Sequence, residues 1–389
     1  MPLPATRLQT SHRHQTMTDT IGGSRFLVTG GAGFIGSAFV GMLVRVGADV
    51  HVVDALTYAG NRANLDGVVA PDMFTVADIA DRAAMDALIA GFDPHYIVNF
   101  AAESHVDRSV DDPAPFVATN ITGTQALLEA SRQAMLKGAS LRKFVQISTD
   151  EVYGDLEVAW DEPRVAAPVA GLGREVFLYG PDAFSEVSPL RPSSPYSASK
   201  ASADLMAVAY QRSFGLPVVV TRCSNNYGPR QFPEKLIPLM INNMLWHRTL
   251  PVYGNGTNVR DWIHVDDHCR GVLAAAVNGQ PGEVYNFGGY CEMRNIDLVR
   301  RLIAAVRDLT GDPGVSEDLI RFVGDRPGHD RRYAIDATKS IARLGWLPQT
   351  GFDEGLEATV KWYLDNREWT ENIVNGSYRD YYKKMYANR

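Results

Sequence analysis

The sequence predicts an α/β protein in which a doubly wound parallel sheet is joined to a smaller C-terminal α/β region. Short apolar runs alternate with helical stretches, as expected when helices cover both faces of a parallel sheet. A glycine-rich turn follows the first run, and beyond residue 228 the chain becomes rich in Pro, Asn and Gly. A length of 389 residues fits one large α/β unit that carries a second, smaller lobe.

The elements of this sheet follow one another along the first half of the chain. The predicted strands are the apolar runs at residues 26–29, 49–54, 74–78, 96–100, 144–148 and 218–222. The first helix follows the glycine turn and ends near Gly47. The chain is divided into a disordered lead at 1–24, a sheet domain mainly at 25–227 and a second region mainly at 228–389, with the chain crossing between the lobes. Residues 154–195, rich in proline, are interpreted as an irregular excursion across the face of the site.

Composition excludes several classes of protein. Apolar residues make up 45% and charged residues 21% of the chain, so a full core can be buried. The net charge of −7, without a basic cluster, argues against nucleic acid or an anionic membrane as a partner. Cys223, Cys269 and Cys291 are widely spaced and form no C-x-x-C pair, which argues against disulfides and zinc and favours the reducing cytoplasm. No run approaches the roughly 20 apolar residues of a membrane span.

The glycine turn predicts a dinucleotide site on a Rossmann-like doubly wound parallel sheet. Gly30, Gly33 and Gly36 lie between the first strand and the first helix, where missing side chains allow a pyrophosphate to approach the helix N-terminus. Asp54 ends the second strand, where a carboxylate accepts hydrogen bonds from the ribose hydroxyls and repels a 2′-phosphate. NAD is therefore favoured over NADP. Asp78 at the end of the third strand is expected to contact the adenine.

A tyrosine and a lysine supply the expected redox chemistry. Tyr196 and Lys200 are four residues apart on a predicted helix, so both lie on one face. The lysine ammonium and a positive nicotinamide both favour phenolate, so the Tyr196 pKa is expected to fall from about 10 towards the working pH. Tyr196 would then act as a base for a sugar hydroxyl. Thr149 is expected to hydrogen-bond the oxygen that is oxidised.

Two carboxyl groups directly follow Thr149 and indicate a second reaction. A plain dehydrogenase moves only a proton and a hydride, whereas Asp150 and Glu151 place an acid and a base beside the redox tyrosine. Elimination of water requires such a pair, with one carboxyl protonated and the other ionised. The same two residues could also be a solvated pair on a loop.

Ordered motifs along the chain resemble those of the extended short-chain dehydrogenase/reductase family, and within it the dehydratases of nucleotide-linked glucose. The matching segments are residues 101–108 (AAESHVDR), 148–154 (STDEVYG), 194–200 (SPYSASK), 223–229 (CSNNYGP), 232–238 (FPEKLIP), 260–262 (RDW) and 325–333 (DRPGHDRRY). The resemblance runs from about Arg25 to the C-terminus. The lead and residues 158–192 depart from the family pattern, which leaves the local loop structure there open.

The resemblance implies a three-step reaction on dTDP-glucose in which NAD is regenerated. Tyr196 removes the proton of the 4-hydroxyl while hydride passes from C4 to NAD. Glu151 then takes the C5 proton and protonated Asp150 donates a proton to the leaving 6-hydroxyl. Hydride returns at C6 to give a 4-keto-6-deoxy sugar, so the protein would be a lyase of deoxysugar biosynthesis.

The resemblance also implies which residues bind the two ligands. Those expected to bind NAD are Gly30, Gly33, Phe34, Ile35, Gly36, Asp54, Leu56, Thr57, Asp78, Ile79, Ala101, Ala102, Thr119, Tyr196, Lys200 and Asn226. Those expected to bind the nucleotide sugar are Ser104, Thr149, Asn225, Lys235, Leu236, Pro251, Tyr253, Arg260, Asn295, Arg326 and His329. Among the latter, the three cations would hold the diphosphate and the two asparagines would act as amide donors. His105, His264 and His329 lack metal-ligand spacing with nearby carboxylates, so no metal is expected.

Several alternatives remain open at this stage. UDP-glucose could replace dTDP-glucose, because the base preference depends on contacts that the sequence does not resolve. A nucleotide-sugar 4-epimerase would share the glycine turn, Asp54, Tyr196 and Lys200 but would not need Asp150 and Glu151. A decarboxylase of nucleotide-linked uronic acids would need no partner acid, and an NAD-sensing scaffold would need neither Tyr196 nor Lys200. A homodimer formed by helices that pack against their symmetry mates is implied by the family.

Overall fold

The computed structural model describes residues 21–156, 165–168, 171–172, 175–180 and 182–374. The predicted lead therefore lies largely outside the described residues, but its last four residues do not. Ile21 is fully buried in the core beside the first strand, and the Ser24 amide donates to its carbonyl at 2.9 Å. The ordered chain thus begins before Arg25, because the apolar Ile21 side chain is needed to cover the sheet.

A seven-stranded parallel sheet forms the larger lobe. Its strands are β1 (Arg25–Thr29), β2 (Asp49–Asp54), β3 (Phe74–Val76), β4 (Tyr96–Asn99), β5 (Lys143–Thr149), β8 (Val218–Cys223) and β12 (Val284–Phe287). They lie in the order β12-β8-β5-β4-β1-β2-β3. The order reverses direction between β1 and β4, and the crevice at the carboxyl ends of the strands at such a point is where ligands bind. The predicted fold class is confirmed, since the six strands expected from sequence are all present.

The seventh strand, β12, was not expected from sequence. Its four residues follow the helix Val265–Asn278 in the C-terminal half, and Val284–Phe287 pair in parallel with β8. The chain therefore returns to the first sheet after it has built part of the second lobe. A run of four residues that is so remote in sequence from its partner gives no local signal of that return.

Helices cover both faces of this sheet. They are α1 (Phe34–Arg45), α2 (Arg82–Phe92), α3 (Val106–Asp111), α4 (Ala114–Phe116), α5 (Thr124–Leu136), α6 (Pro195–Phe214) and α8 (Val265–Asn278). A π-helical stretch, Val117–Gly123, joins α4 to α5. The strands are apolar almost throughout because both of their faces are buried, as for Phe26, Leu27 and Val28 of β1.

The smaller lobe has its own apolar core. Its elements are β9 (Asn225–Tyr227), α7 (Leu236–Leu245), β10 (Leu250–Tyr253), β11 (Val259–His264), β13 (Glu292–Arg294), α9 (Asn295–Thr310), β14 (Ile320–Val323), α11 (Phe352–Asp365) and α12 (Arg367–Ile373). Helix α10 (Thr338–Leu344) lies between them in sequence but packs against α8 and β12 of the larger lobe. β10 pairs in parallel with β14, and β11 lies between β13 and β9. Met240 of α7, Leu302 of α9 and Trp262 of β11 are buried together in this core. In the described ranges no helix has the length and apolar character that a membrane crossing requires.

The excursion between residues 154 and 195 is less irregular than predicted. β6 (Val165–Pro168) and β7 (Glu175–Leu178) form an antiparallel hairpin, although residues 157–164, 169–170, 173–174 and 181 lie outside the described part. Further along, the Phe184 amide donates to the Ala334 carbonyl at 2.9 Å, and the Asp336 amide donates back to Phe184 at 2.9 Å. The excursion is thereby fastened to the C-terminal segment that borders the site.

Candidate active site

At the glycine turn before α1, separate stretches of the backbone come into direct contact. Gly30 has φ +68°, and a Cβ there would lie 2.6 Å from the Ala101 nitrogen. A Cβ on Gly36 would collide with the Gly30 carbonyl oxygen. Gly33 is the N-cap of α1 and has no side-chain cap, so the first amides of that helix remain directed at the cleft. The turn has the form of a pyrophosphate cradle.

Asp54 ends β2 and is fixed by two backbone amides. Its Oδ2 accepts from the Ala32 amide at 2.9 Å and its Oδ1 accepts from the Leu56 amide at 2.8 Å. Burial raises the Asp54 pKa, and these two hydrogen bonds oppose the rise. Gly60 packs so closely that a Cβ on it would lie 2.6 Å from Asp54 Oδ1. The carboxylate is thus held rigidly, with lone pairs left for ribose hydroxyls.

A cleft of about 1760 Å³, including its open mouth, runs from the glycine turn to the second lobe. The predicted NAD residues that line it are Gly30, Gly33, Phe34, Ile35, Gly36, Asp54, Thr57, Asp78, Ile79, Ala101, Ala102, Thr119, Tyr196, Lys200 and Asn226. Leu56 does not line the cleft and contributes its amide to Asp54 instead. These observations fit a bound dinucleotide.

Tyr196 and Lys200 lie on one face of α6, at the floor of the cleft. Lys200 Nζ donates to the Ile147 carbonyl at 2.6 Å. Burial lowers the Lys200 pKa, and Asp204, one turn further along α6, raises it. Asp204 is in turn paired with Arg222 of β8 at 2.9 Å. The ammonium is therefore supported from within the protein core.

The Tyr196 pKa was expected to fall, but the protein's own groups raise it. Burial of the phenol, followed by the charges of Glu151, Cys223 and Asp150, raises the pKa well above its ordinary value. A hydrogen bond with Thr149 opposes this rise. The Lys200 ammonium is directed at Ile147, so it does not offset the rise that burial and the nearby carboxylates cause in the Tyr196 pKa. Any lowering has to come from the positive charge of an oxidised nicotinamide.

Asp150 and Glu151 are consecutive residues in different electrostatic surroundings. They begin the 3₁₀ turn Asp150–Tyr153, with Thr149 as its N-cap. Burial raises the Asp150 pKa well above its usual range, and Glu151 and Asp261 raise it further. Burial also raises the Glu151 pKa, but Arg326, Lys235 and Arg260 all oppose that rise. Asp150 is thus favoured as the protonated acid and Glu151 as the ionised base.

Five predicted substrate residues line the same cleft: Ser104, Thr149, Asn225, Lys235 and Leu236. Lys235 Nζ donates to the Ser104 carbonyl at 2.7 Å, which places the ammonium between the strand β4 loop and the second lobe. The Asn225 Oδ1 is buried without a hydrogen-bond partner within the described part. Buried polar atoms are normally paired, so an unpaired one at a cleft wall suits a ligand.

Six other predicted substrate residues do not line the cleft and lie beside it: Pro251, Tyr253, Arg260, Asn295, Arg326 and His329. Tyr253 donates its hydroxyl to Asp107 Oδ2 at 2.9 Å, and Arg326 lies 3.7 Å from Asp107 Oδ1. Burial and Arg326 lower the pKa of His329 to about 3, and its ring packs edge-on against Tyr253. Arg326 and Arg260 lie close enough to Glu151 to lower the pKa of that carboxyl.

Arg260 and Asn295 differ in how free they are to bind a ligand. The Arg260 guanidinium donates to the carbonyls of Val259 and Asp330 at 2.7 and 2.8 Å, so part of its donor capacity is used within the protein. The Asn295 Oδ1 and the Arg326 Nε are buried atoms without a hydrogen-bond partner among the described residues. Arg326 is therefore better placed than Arg260 to grip a phosphate.

Several cleft residues escaped the sequence reasoning, among them Tyr58 and Glu234. Tyr58 and Glu234 line the cleft from opposite lobes. Glu234 lies within the matching segment 232–238, but no spacing rule connects it with Tyr58, which is far away in sequence. Only the folded arrangement shows that they meet.

Fold and site together define a Rossmann-type protein that can hold a pyridine nucleotide and carries a Tyr-Lys pair beside a carboxyl pair. Residues 26–288 match the model of the NAD dependent epimerase/dehydratase family. The chain belongs to this family.

Similar proteins come from several bacteria. The dTDP-glucose 4,6-dehydratase of Neisseria meningitidis serogroup B is 49% identical over 91% of this chain and 97% of its own length. That of Escherichia coli K12 is 46% identical over 94% and 99%. The dTDP-glucose 4,6-dehydratase DesIV of Streptomyces venezuelae, solved with NAD and TYD bound, is 44% identical over 90% and 99%, with a TM-score of 0.78. A UDP-glucose 4-epimerase of Thermus thermophilus solved with NAD is 30% identical over 88% and 99%, with a TM-score of 0.72.

Proposed function

We propose that this protein is an NAD-dependent lyase that dehydrates dTDP-glucose to dTDP-4-keto-6-deoxyglucose. The observation that carries the proposal is the pair Asp150 and Glu151, whose surroundings favour one protonated and one ionised carboxyl beside Tyr196. An elimination needs both states at once. The relatives named as dTDP-glucose 4,6-dehydratases match this chain over nearly their whole length, and they support the same substrate.

The residues that would hold NAD are the glycine turn, Asp54 and the cleft wall described above. When bound, NAD accepts hydride from C4 of the sugar and later returns it to C6. Tyr196 receives the proton of the 4-hydroxyl as the ketone forms, and Thr149 hydrogen-bonds the same oxygen. Lys200, one turn further along α6, donates to the Ile147 carbonyl and would take part in holding the cofactor. The ketone acidifies C5–H and so prepares the sugar for elimination.

The carboxyl pair then carries out the loss of water. Glu151, kept ionisable by Arg326, Lys235 and Arg260, removes the C5 proton. Asp150, kept protonated by burial and by neighbouring negative charge, donates its proton to the 6-hydroxyl as that group leaves. Once C6 has been reduced, Glu151 would return its proton to C5 and regain its starting state. Tyr196 still holds the proton of the 4-hydroxyl and Asp150 lacks the one it gave to water, so a proton has to pass from Tyr196 to Asp150 before the next turnover.

The nucleotide end of the substrate would lie towards the second lobe. Lys235, Arg260 and Arg326 supply the positive charge that a diphosphate needs and that the overall charge of −7 does not. Asn225 and Asn295 present amide groups, Tyr253, Pro251, Leu236 and His329 border the base or sugar, and Ser104 lies near the glucosyl hydroxyls. Residues 25–227 would serve mainly the cofactor and residues 228–389 mainly the nucleotide sugar.

A related 4-epimerase is the nearest alternative from another reaction class. It would use the same cofactor site with Tyr196 and Lys200 but would leave Asp150 and Glu151 without a role. Asp150 is buried beside the half-buried Glu151, and a carboxyl in such surroundings costs stability unless it is paired. The dehydratase relatives are also more similar in sequence than the epimerase, at 49% against 30% identity.

The deciding experiment is to incubate the purified protein with dTDP-glucose, without added NAD, and to measure the mass of the sugar nucleotide by mass spectrometry. Loss of one water without net NADH establishes the dehydration and a retained cofactor. An isomer of unchanged mass would instead indicate an epimerase. UDP-glucose in a parallel reaction decides the base preference, and faster turnover of UDP-glucose would overturn the choice of dTDP.

A homodimer and a cytoplasmic location complete the proposal. Val117 of the π stretch and Leu205 of α6 are 51% and 62% exposed, although these helical segments pack against each other. A second copy of the chain would cover such apolar side chains. Cys223 and Cys269 are buried free thiols, as suits a reducing compartment. Light scattering of wild type and Leu205→Glu tests the dimer, which the charged variant should dissociate; a monomeric wild type would refute it.

A further inference from the structure

Three side chains from distant parts of the chain meet beside the cleft, and two of them line it. Tyr58 comes from the loop after β2, Arg108 from α3 and Glu234 from the loop before α7. The Arg108 guanidinium carbon lies 3.9 Å from the centroid of the Tyr58 ring, and its Nε donates to Glu234 Oε2 at 2.9 Å. Burial, followed by the charge of the same carboxylate, raises the pKa of the Tyr58 phenol. We call this group of three side chains, joined through Arg108, the clasp.

The clasp is largely shielded from water. The Glu234 side chain is 3% exposed and that of Arg108 is 26% exposed. Burial raises the Glu234 pKa, while the charges of Lys235 and Arg108 oppose the rise. The Tyr58 ring also packs edge-on against Phe232 with the centroids 5.4 Å apart. A shielded charge-assisted hydrogen bond contributes more than the same bond on an open surface.

The clasp joins the two halves of the cleft. Tyr58 lies between Asp54 and Gly60, which pack directly against each other at the expected ribose position. Glu234 is followed by Lys235, whose ammonium holds the Ser104 carbonyl on the substrate side. Tyr58 and Glu234 both line the cleft. A dinucleotide that leaves the cleft between these two loops has to separate the Tyr58 loop from the Glu234 loop.

We propose that the clasp retains the dinucleotide between the two hydride transfers. This inference rests on the proposed function, in which hydride removed from C4 must return to C6 of the same sugar. Loss of the reduced dinucleotide after elimination would leave an unsaturated keto sugar and free reduced cofactor. Tyr58 and Glu234 are thus positioning residues that determine whether the reaction closes, and neither exchanges a proton with the sugar.

The test measures release of the cofactor rather than activity. Protein loaded with reduced dinucleotide is mixed with excess NAD, and the loss of the bound fluorescence gives the release rate. Tyr58→Leu, which removes the ring that packs on Arg108, and Glu234→Gln, which removes the charge paired with Arg108, should each release it about 10- to 100-fold faster, since a shielded cation–π contact contributes about 2 kcal/mol and a hydrogen bond to a charged group roughly 1.5–3 kcal/mol. The matched control is Phe214→Leu, whose ring lies 4.9 Å from the Arg132 guanidinium carbon, away from the cleft.

The double variant Tyr58→Leu/Glu234→Gln should release the cofactor more slowly than the product of the two single effects predicts, because both changes act through Arg108. Circular dichroism confirms that each variant is folded, and Glu234→Gln suffices if Tyr58→Leu does not fold. Release by both variants at the wild-type rate overturns the clasp. A wild type that holds the dinucleotide but does not dehydrate dTDP-glucose refutes the proposed function alone, because the release rates still decide the clasp.

Discussion

Arg332 and Glu292 form a buried ion pair that ties the excursion before α6 to the second lobe. Arg332 Nε and Nη2 donate to the two Glu292 oxygens at 2.8 and 3.0 Å, and each side chain is 2% exposed. Glu292 also accepts from the Tyr179 amide at 3.1 Å, and Arg332 donates to the Gly180 carbonyl at 3.3 Å. The pair thus fixes three segments beside the wall that carries Arg326.

Removal of one partner of this pair should destabilise the protein strongly. Glu292→Gln leaves the Arg332 guanidinium buried without a counter-charge, which typically costs about 3–5 kcal/mol. Urea denaturation followed by circular dichroism measures the loss. The double variant Arg332→Met/Glu292→Leu is the control, and it should be less destabilised because no charge remains buried. A loss below about 1 kcal/mol for Glu292→Gln would show that water reaches the pair.

Glu151→Gln should stop the reaction after the first oxidation. The amide cannot take the C5 proton, whereas Tyr196, Thr149 and the dinucleotide site are unchanged. Single-turnover mixing with dTDP-glucose should therefore show the absorbance of reduced cofactor without loss of water. Glu129→Gln, at a carboxylate on α5 that pairs with Arg132 and does not line the cleft, is the matched control. Full product formation by Glu151→Gln would remove this residue from the mechanism.

Tyr196→Phe should slow the first oxidation about 100- to 10,000-fold, the usual contribution of a positioned base. Binding of NAD should persist, because the glycine turn and Asp54 hold the other end of the cofactor. Stopped-flow absorbance gives the oxidation rate and fluorescence titration gives the binding constant. Near-normal turnover would require another base at C4.

Elimination should have a bell-shaped pH profile with separate origins for its two limbs. The rate falls on the acid side as Glu151 gains a proton, at a pH above the ordinary glutamate pKa because burial raises it. It falls on the alkaline side as Asp150 loses its proton, at a pH far above the ordinary aspartate pKa. Asp150→Asn should abolish the alkaline limb together with most of the rate. A limb that persists in this variant at wild-type position would belong to another group.

Local spacing predicted the parts of the site that lie on single elements. Gly30, Asp54, Tyr196 and Lys200 each follow from a strand end, a tight turn or one helical turn, and the parallel sheet follows from apolar runs that are buried on both faces. The class of cofactor followed from these residues as well. By contrast, β12 gave no signal, because its partner β8 is remote in sequence.

Contacts between distant segments could not be predicted. Tyr253 donates to Asp107, and Lys235 donates to the Ser104 carbonyl, each across more than a hundred positions of the sequence. The Tyr196 pKa was predicted to fall, whereas the protein's own groups raise it, for the same reason. A spacing of four residues shows that Lys200 is near, but it does not show that the ammonium is bonded to Ile147 or that carboxylates surround the phenol.

His268 should make the protein sensitive to acid. Burial lowers the His268 pKa from its usual 6.5 to about 3, and its Nδ1 lies 2.9 Å from Asn226 Oδ1. Because the acceptor is an amide oxygen, Nδ1 carries the hydrogen and Nε2 is a buried acceptor without a hydrogen-bond partner in the described part. Protonation would place a charge there that nothing compensates.

The sign of the pH effect follows from linkage. The unfolded chain binds a proton at this histidine below about pH 6.5 and the folded chain does not, so stability is complete above that pH and declines as the pH falls towards 3. His268→Asn keeps a donor for Asn226 and cannot titrate. Urea denaturation at several pH values should show a wild-type decline that is larger by a few kcal/mol than that of the variant. Parallel curves for the two proteins would show that His268 is protonated in the folded state.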